Sequence, residues 1–205
     1  MNFVNDIQNW IIDKLQLNTI KTLNNNEFKI LVMGEKSVGK SSFLLRFIKN
    51  EYDLEKKPIT NKNDLTINLK FFEDIIKICF IDVDYMTISK EHNNLYNNVH
   101  GVFILFDLTK KKTFEKIKNW IFDVRQNLRN NIPICIIGNK KDLTFLKEVH
   151  SKELEEKSIE YNCDFFEVSC TEEESVDIAM KFLIGKIYFN SLGKKKKQYF
   201  ENYLK

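Results

Sequence analysis

The residues Gly34-Glu35-Lys36-Ser37-Val38-Gly39-Lys40-Ser41 carry the spacing G-x-x-x-x-G-K-[ST], which phosphate chemistry requires. Glycine at 34 and 39 lets backbone amides wrap around phosphate oxygens, with Lys36, Ser37 and Val38 forming the turn between them. Lys40 has the reach to meet β and γ phosphates, and the Ser41 hydroxyl suits a magnesium ion. A helix starting here, with Ser42 in its first turn, points its positive end at the negative charge. A second group is Asn139-Lys140-Lys141-Asp142, placed directly after an apolar run. A carboxylate at Asp142 can accept two hydrogen bonds from N1 and N2 of guanine. Adenine has no matching donors on that edge and leaves the carboxylate unpaired, so such a contact discriminates strongly. Further on, the backbone amides of Ser169, Cys170 and Thr171 are candidates for the guanine O6. Taken alone, N-K-x-D is four polar residues of the kind any solvated loop carries; behind a complete phosphate loop it reads as a base site.

Both groups need elements that end where the ligand begins. Short branched and aromatic runs lie at 28–33, 76–81, 102–106, 132–137 and 163–168, each the length of a buried strand. Helical patterns fall between them at 40–49, 113–129, 149–161 and 175–190. The alternation predicts an α/β, doubly wound fold with a mostly parallel sheet and helices on both faces. In such a sheet the loops at the carboxyl ends of the strands hold ligands, which is where both motifs fall. Over 64–82, Leu65, Ile67, Leu69 and Phe71 alternate with polar residues before Glu73-Asp74 and the next run. This hairpin pattern predicts one antiparallel edge strand.

The 205 residues, 43% hydrophobic with a net charge of +3, suit a single globular domain. Of 32 basic residues only Arg46, Arg125 and Arg129 are arginine, and the near-balanced charge gives little support to nucleic-acid binding, which calls for a concentrated basic face. Cys79, Cys135, Cys163 and Cys170 lie in or beside apolar runs without metal-like spacing, and read as reduced thiols. No stretch has the length of a membrane span and the start lacks a signal-peptide pattern, so the expectation is a cytoplasmic protein. Residues 1–26 form an N-terminal extension with Phe3, Ile7, Trp10, Ile11 and Leu15 at helical spacing, and 27–192 form the domain. Residues 193–205 form a tail with the basic run Lys194–Lys197. The last residues, Asn202-Tyr203-Leu204-Lys205, hold no cysteine and Asn2 follows the first Met, so the sequence as written offers no lipid anchor. Membrane contact is then expected only through partners or weakly through the basic tail.

With these motifs in order, the sequence over 27–190 resembles the Ras superfamily of small GTPases, and the Rab family in particular. The Rab likeness lies in Asn94-Leu95-Tyr96-Asn97-Asn98-Val99-His100-Gly101-Val102, Phe106-Asp107-Leu108-Thr109, Thr113-Phe114 and Lys118-Asn119-Trp120. The resemblance implies a six-stranded P-loop GTPase domain that binds GTP and GDP with Mg2+, meets effector and exchange-factor proteins, and acts in vesicle trafficking, peripherally on endomembranes. It also implies that Tyr52 lies against the guanine, that Thr60 meets the magnesium ion in the first switch, and that Asp82 stands behind the metal.

The chain departs from the family where the γ phosphate is sensed. The second switch of the family begins D-T-A-G-Q, whereas this sequence reads Asp82-Val83-Asp84-Tyr85-Met86. Tyr85 replaces a glycine that lets the loop rearrange. Met86 replaces the glutamine that orients the attacking water, which a thioether cannot do. Lys36 and Ser37 stand where the family keeps small residues. Two readings follow: a GTP/GDP switch with weak or partner-dependent hydrolysis, or a catalytically inactive interaction module that uses nucleotide structurally. A P-loop kinase is disfavoured, because Asp142 does not suit adenine and no acceptor pocket is legible.

Overall fold

The computed structural model describes residues 26–50, 65–71, 74–83, 95–128 and 132–191. Its strands are β1 (Asn26–Gly34), β2 (Thr66–Phe71), β3 (Asp74–Val83), β4 (Val99–Asp107), β5 (Ile134–Asn139) and β6 (Asp164–Glu167). They form one sheet in the order β2-β3-β1-β4-β5-β6, with β2 antiparallel to β3 and every other pair parallel. This is the predicted doubly wound architecture, including its antiparallel edge. The described helices are α1 (Lys40–Lys49), α2 (Lys111–Glu115), α3 (Ile117–Asn127), α4 (Ser151–Tyr161) and α5 (Glu173–Ser191).

The period-2 pattern of the strands feeds two cores. Phe28, Ile30 and Val32 of β1, with Phe103 and Leu105 of β4 and Cys135 and Ile137 of β5, pack under α1 and α5. Leu31 and Met33, with Val102, Ile104, Phe106, Ile134 and Ile136, pack on the other face under α2, α3 and α4. Helices therefore cover both faces. The phosphate-loop helix is anchored by Phe43, fully buried and edge-on to Phe103 with ring centroids 5.3 Å apart. Truncating a ring so placed costs about 3–5 kcal/mol and would loosen the loop ahead of it.

Some boundaries differ from the sequence reading for local reasons. The helix expected over 113–129 is two helices, α2 and α3, that part at Lys116. The Asn119 N–H donates to the Lys116 carbonyl at 3.0 Å and the Trp120 N–H at 3.4 Å, a tightened turn that aims Ile117, Trp120, Ile121 and Val124 into the core. Strand β5 starts at Ile134, after Pro133, which has no N–H to offer a ladder; the Pro133 carbonyl still accepts from the Val102 N–H at 3.1 Å. Helix α4 starts at Ser151, after His150, whose extended backbone (φ −93°, ψ 152°) lies outside the helix, while the Glu148 and Val149 amides ahead of it donate to the Leu108 carbonyl. It ends at Asn162 in the left-handed conformation, φ 48°. The N-terminal stripe, Tyr52, Thr60, Tyr85, Met86 and the basic tail lie outside the described residues.

Candidate phosphate and base site

The sheet order reverses at β1, whose neighbours β3 and β4 are reached by connections running in opposite directions, so a crevice opens beyond its carboxyl end. There β1 ends at Gly34, in register with Leu105 of β4. A Cβ on Gly34 would stand 2.3 Å from the Leu105 carbonyl oxygen, so only glycine lets the strand turn at that point. Lys36 and Ser37 are exposed at the outer bend, and Ser37 takes φ 65°. Val38 is buried, and Gly39 follows with φ 99°. A Cβ on Gly39 would lie 2.2 Å from Nδ2 of Asn139, so this glycine admits the base loop. Through that gap Asn139 Nδ2 donates to the Val38 carbonyl at 2.9 Å.

Lys40 is buried and folds back over its own loop, donating through Nζ to the carbonyls of Gly34 at 2.9 Å and Glu35 at 3.1 Å. Its ammonium therefore sits inside the curve where phosphate oxygens would lie. In the first turn of α1 the Ser41 Oγ donates to Asp82 Oδ2 at 2.7 Å, and Ser42 follows, half-buried. Among the described residues no three His, Cys, Asp or Glu side chains gather to hold a metal alone. One hydroxyl and one carboxylate nevertheless fit Mg2+, which keeps waters and takes its other ligands from phosphates. Glu35 is held from outside by Lys116 at 2.8 Å.

The base loop leaves β5 at Asn139, whose register partner is Asp107 at the end of β4. Lys140 adopts φ 67°, and its Nζ meets Asp107 Oδ2 at 2.5 Å, with the Asp107 side chain fully buried. Asp107 Oδ1 also accepts from Thr109 N at 2.9 Å and Thr109 Oγ1 at 2.6 Å. Burial by itself raises the Asp107 carboxyl, but these donors outweigh it and hold the group below the usual carboxylate range. Asp142 is exposed, with its Oδ1 accepting from Ser169 Oγ at 2.5 Å. Ser169 Oγ is 2.6 Å from Thr171 Oγ1, and the Thr171 N–H donates back to it at 3.2 Å. Burial pushes the Cys170 thiol up to about 12, which keeps it a donor, and Sγ donates to Asn139 Oδ1 at 3.3 Å. The Cys170 carbonyl accepts from Arg46 Nε of α1 at 2.7 Å.

The fold thus brings Gly34, Lys36, Ser37, Val38, Gly39, Lys40, Ser41, Ser42 and Asp82 to one end of the crevice. Asn139, Lys140, Asp142, Ser169, Cys170 and Thr171 gather at the other, and the Asn139–Val38 bond joins the two. Tyr52, Thr60 and Met86 fall outside the described residues. Sequence reasoning gave no role to Asp107, Arg46 or the Glu35–Lys116 pair. The Asp-Leu-Thr run at 107–109 signals an Asx turn, but nothing local discloses that the same carboxylate meets Lys140.

A model of the Ras family matches residues 29–189, well over half of the chain. Ras-related protein Rab-11A of Dictyostelium discoideum is 31% identical over 165 residues, 78% of this chain and 76% of that protein. GTP-binding protein ypt3 of Schizosaccharomyces pombe is 30% identical over the same shares of the two chains. Ras-related protein Rab11B of Nicotiana tabacum is 30% identical, covering 78% of this chain and 75% of its own.

Proposed function

This chain belongs to the Ras family of small GTPases with Rab-like character, and from that premise we propose that it is a guanine-nucleotide switch with weak or partner-dependent GTP hydrolysis. The observation that carries the reading is the Asn139–Val38 bond, which makes one unit of a phosphate loop and a base loop. Gly34 and Gly39 shape the phosphate cradle, Lys40 supplies its positive charge, and Asp142 selects guanine with the amides of Ser169, Cys170 and Thr171 beside it. Ser41 and Asp82 would hold magnesium together with Thr60 of the first switch, and Tyr52 would lie against the guanine. Bound there, Mg2+ neutralises phosphate charge.

Hydrolysis needs a positioned water, and Met86 offers no hydrogen bond to orient one. Tyr85 stiffens a loop that must move when the γ phosphate is lost. Binding therefore survives better than turnover. The same two residues favour a second reading, an inactive domain that holds nucleotide structurally. In either case the recognition surfaces serve effector, exchange-factor or other regulatory proteins in vesicle trafficking, with residues 27–192 as the working domain. No described helix is long and apolar enough to cross a membrane. Residence on endomembranes is then peripheral, through partners and weakly through Lys194–Lys197.

The test is to purify the protein with magnesium, denature it and quantify the released nucleotide by chromatography. Near-stoichiometric GTP supports a competent site with crippled hydrolysis; GDP, followed by single-turnover measurement, supports a working switch. A protein that is empty and refuses added guanine nucleotide overturns both. Tyr85→Gly combined with Met86→Gln is expected to raise turnover, and an unchanged rate points to Lys36 or to a different alignment of the second switch.

A further inference from the structure

Lys140 is the residue around which the base loop turns. Its left-handed backbone, φ 67°, is one that side chains other than glycine adopt only when their surroundings compel it. That turn separates Asn139, aimed at the Val38 carbonyl, from Asp142, aimed at Ser169. Backbone bonds hold it on both sides. The Leu108 N–H donates to the Asn139 carbonyl at 3.0 Å, the Lys141 N–H to Val168 at 3.0 Å, and the Leu143 N–H to Lys140 at 3.0 Å. Among the described residues the side chain that holds Lys140 is Asp107, fully buried, 2.5 Å from its ammonium, and fixed in orientation by both donors of Thr109.

A lysine left in solvent samples many rotamers, and a ligand that needs it in one place must order it on binding. Here the ordering precedes the ligand. The Asp107 carboxylate sits at the end of β4, opposite Asn139 in the ladder, so its position is set by the sheet rather than by the loop. We propose that Asp107 is a positioning residue for nucleotide binding, holding Lys140 and with it the turn that aims Asn139 and Asp142. The inference rests on the guanine-nucleotide reading of the site. Asp107 touches no ligand in this scheme and acts through Lys140.

The experiment is release of mant-GDP from the preloaded full-length protein into excess GDP. Asp107→Asn keeps the shape and the acceptor for Thr109 but removes the charge, and is expected to speed release about tenfold. Lys140→Met speeds release as well. Adding Asp107→Asn to Lys140→Met is then expected to change the rate by less than about twofold, because the ammonium through which Asp107 acts is gone. A merely structural role for Asp107 would instead multiply the two effects, and that result overturns the inference, as does an Asp107→Asn rate equal to wild type. Should Asp107→Asn not fold, Lys140→Arg decides. A guanidinium that still pairs with Asp107 keeps release within about threefold of wild type, and release as fast as in Lys140→Met overturns the inference. Wild-type protein that retains no mant-GDP overturns the guanine reading and this inference with it. Retention by wild type with an unaffected Asp107→Asn overturns this inference alone.

Discussion

Ser41 donates to Asp82 at 2.7 Å across 41 residues of sequence, joining the first turn of the phosphate-loop helix to the end of β3. The pair is a hydroxyl and a carboxylate at hydrogen-bonding distance, a donor set a hard divalent cation can share with phosphate oxygens. Chelation of Mg2+ is therefore expected to speed nucleotide release by about tenfold or more, the loss of a charge-assisted contact. In Asp82→Asn the same chelation produces a smaller acceleration. Stopped-flow release of a fluorescent nucleotide with and without EDTA reads both, and equal responses in the two proteins would remove the metal from this position.

Asp142 is exposed with one oxygen already in use by Ser169, which fixes its carboxylate ahead of any ligand. Two hydrogen bonds from a guanine edge to a charged acceptor contribute about 3–6 kcal/mol together. Asp142→Ala should accordingly lower the preference for GDP over ADP by about 10²–10⁴-fold, measured as the ratio of dissociation constants. Unchanged selectivity would sink the assignment of the base loop.

Ser37 holds φ 65° in the exposed bend of the phosphate loop. A left-handed residue other than glycine costs about 1–2 kcal/mol, while glycine gives back about 0.5–1 kcal/mol through the greater freedom of the unfolded chain. Ser37→Gly is thus expected to stabilise by about 0.5 kcal/mol, a rise in Tm of about 1–2 °C. Ser37→Val, branched at Cβ, is expected to lower Tm. Calorimetry on both variants checks the sign, and a Val variant as stable as the Gly variant would contradict the strain.

The backbone N–H of Lys29 donates to His100 Nδ1 at 3.1 Å, a bond that needs this nitrogen unprotonated. Burial, and then the charge of Lys29, hold the His100 pKa below its ordinary value. The unfolded chain then binds this proton more readily than the folded one, so stability rises with pH in this range. The contribution is complete above the unfolded pKa of about 6.5 and is lost as pH falls through the lower folded value. Tm is expected to decline from about pH 7.5 toward pH 5, and His100→Asn, which keeps an acceptor, to flatten that decline. Melting curves of equal slope would exclude His100 as the titrating group.

The sheet was legible because its signals are local. The run from Phe28 to Met33 alternates between two cores, the stretch from Leu65 to Phe71 alternates with polar residues, and each glycine of the phosphate loop sits where a Cβ would collide. The site was legible as two motifs, because G-x-x-x-x-G-K-S and N-K-x-D put their chemistry in consecutive residues. Their junction was not. The Asn139–Val38 bond spans 101 residues and the Arg46–Cys170 bond 124, and both depend on strand register, which no short window contains. The helix break at Lys116 escaped for another reason: no proline or glycine marks it, and the bend follows from packing Trp120 and Ile121 inward.

The strands that carry the two halves of the site differ in how well they are protected. The phosphate loop hangs from β1, flanked on both sides by β3 and β4, whereas the loop of Ser169, Cys170 and Thr171 follows β6, a four-residue edge strand with every residue half-buried. Local opening of a sheet starts where neighbours are fewest. Fraying of β6 would therefore slacken the grip on the guanine ring while the phosphate cradle stays closed, and a departing nucleotide would lift its base before its phosphates come free.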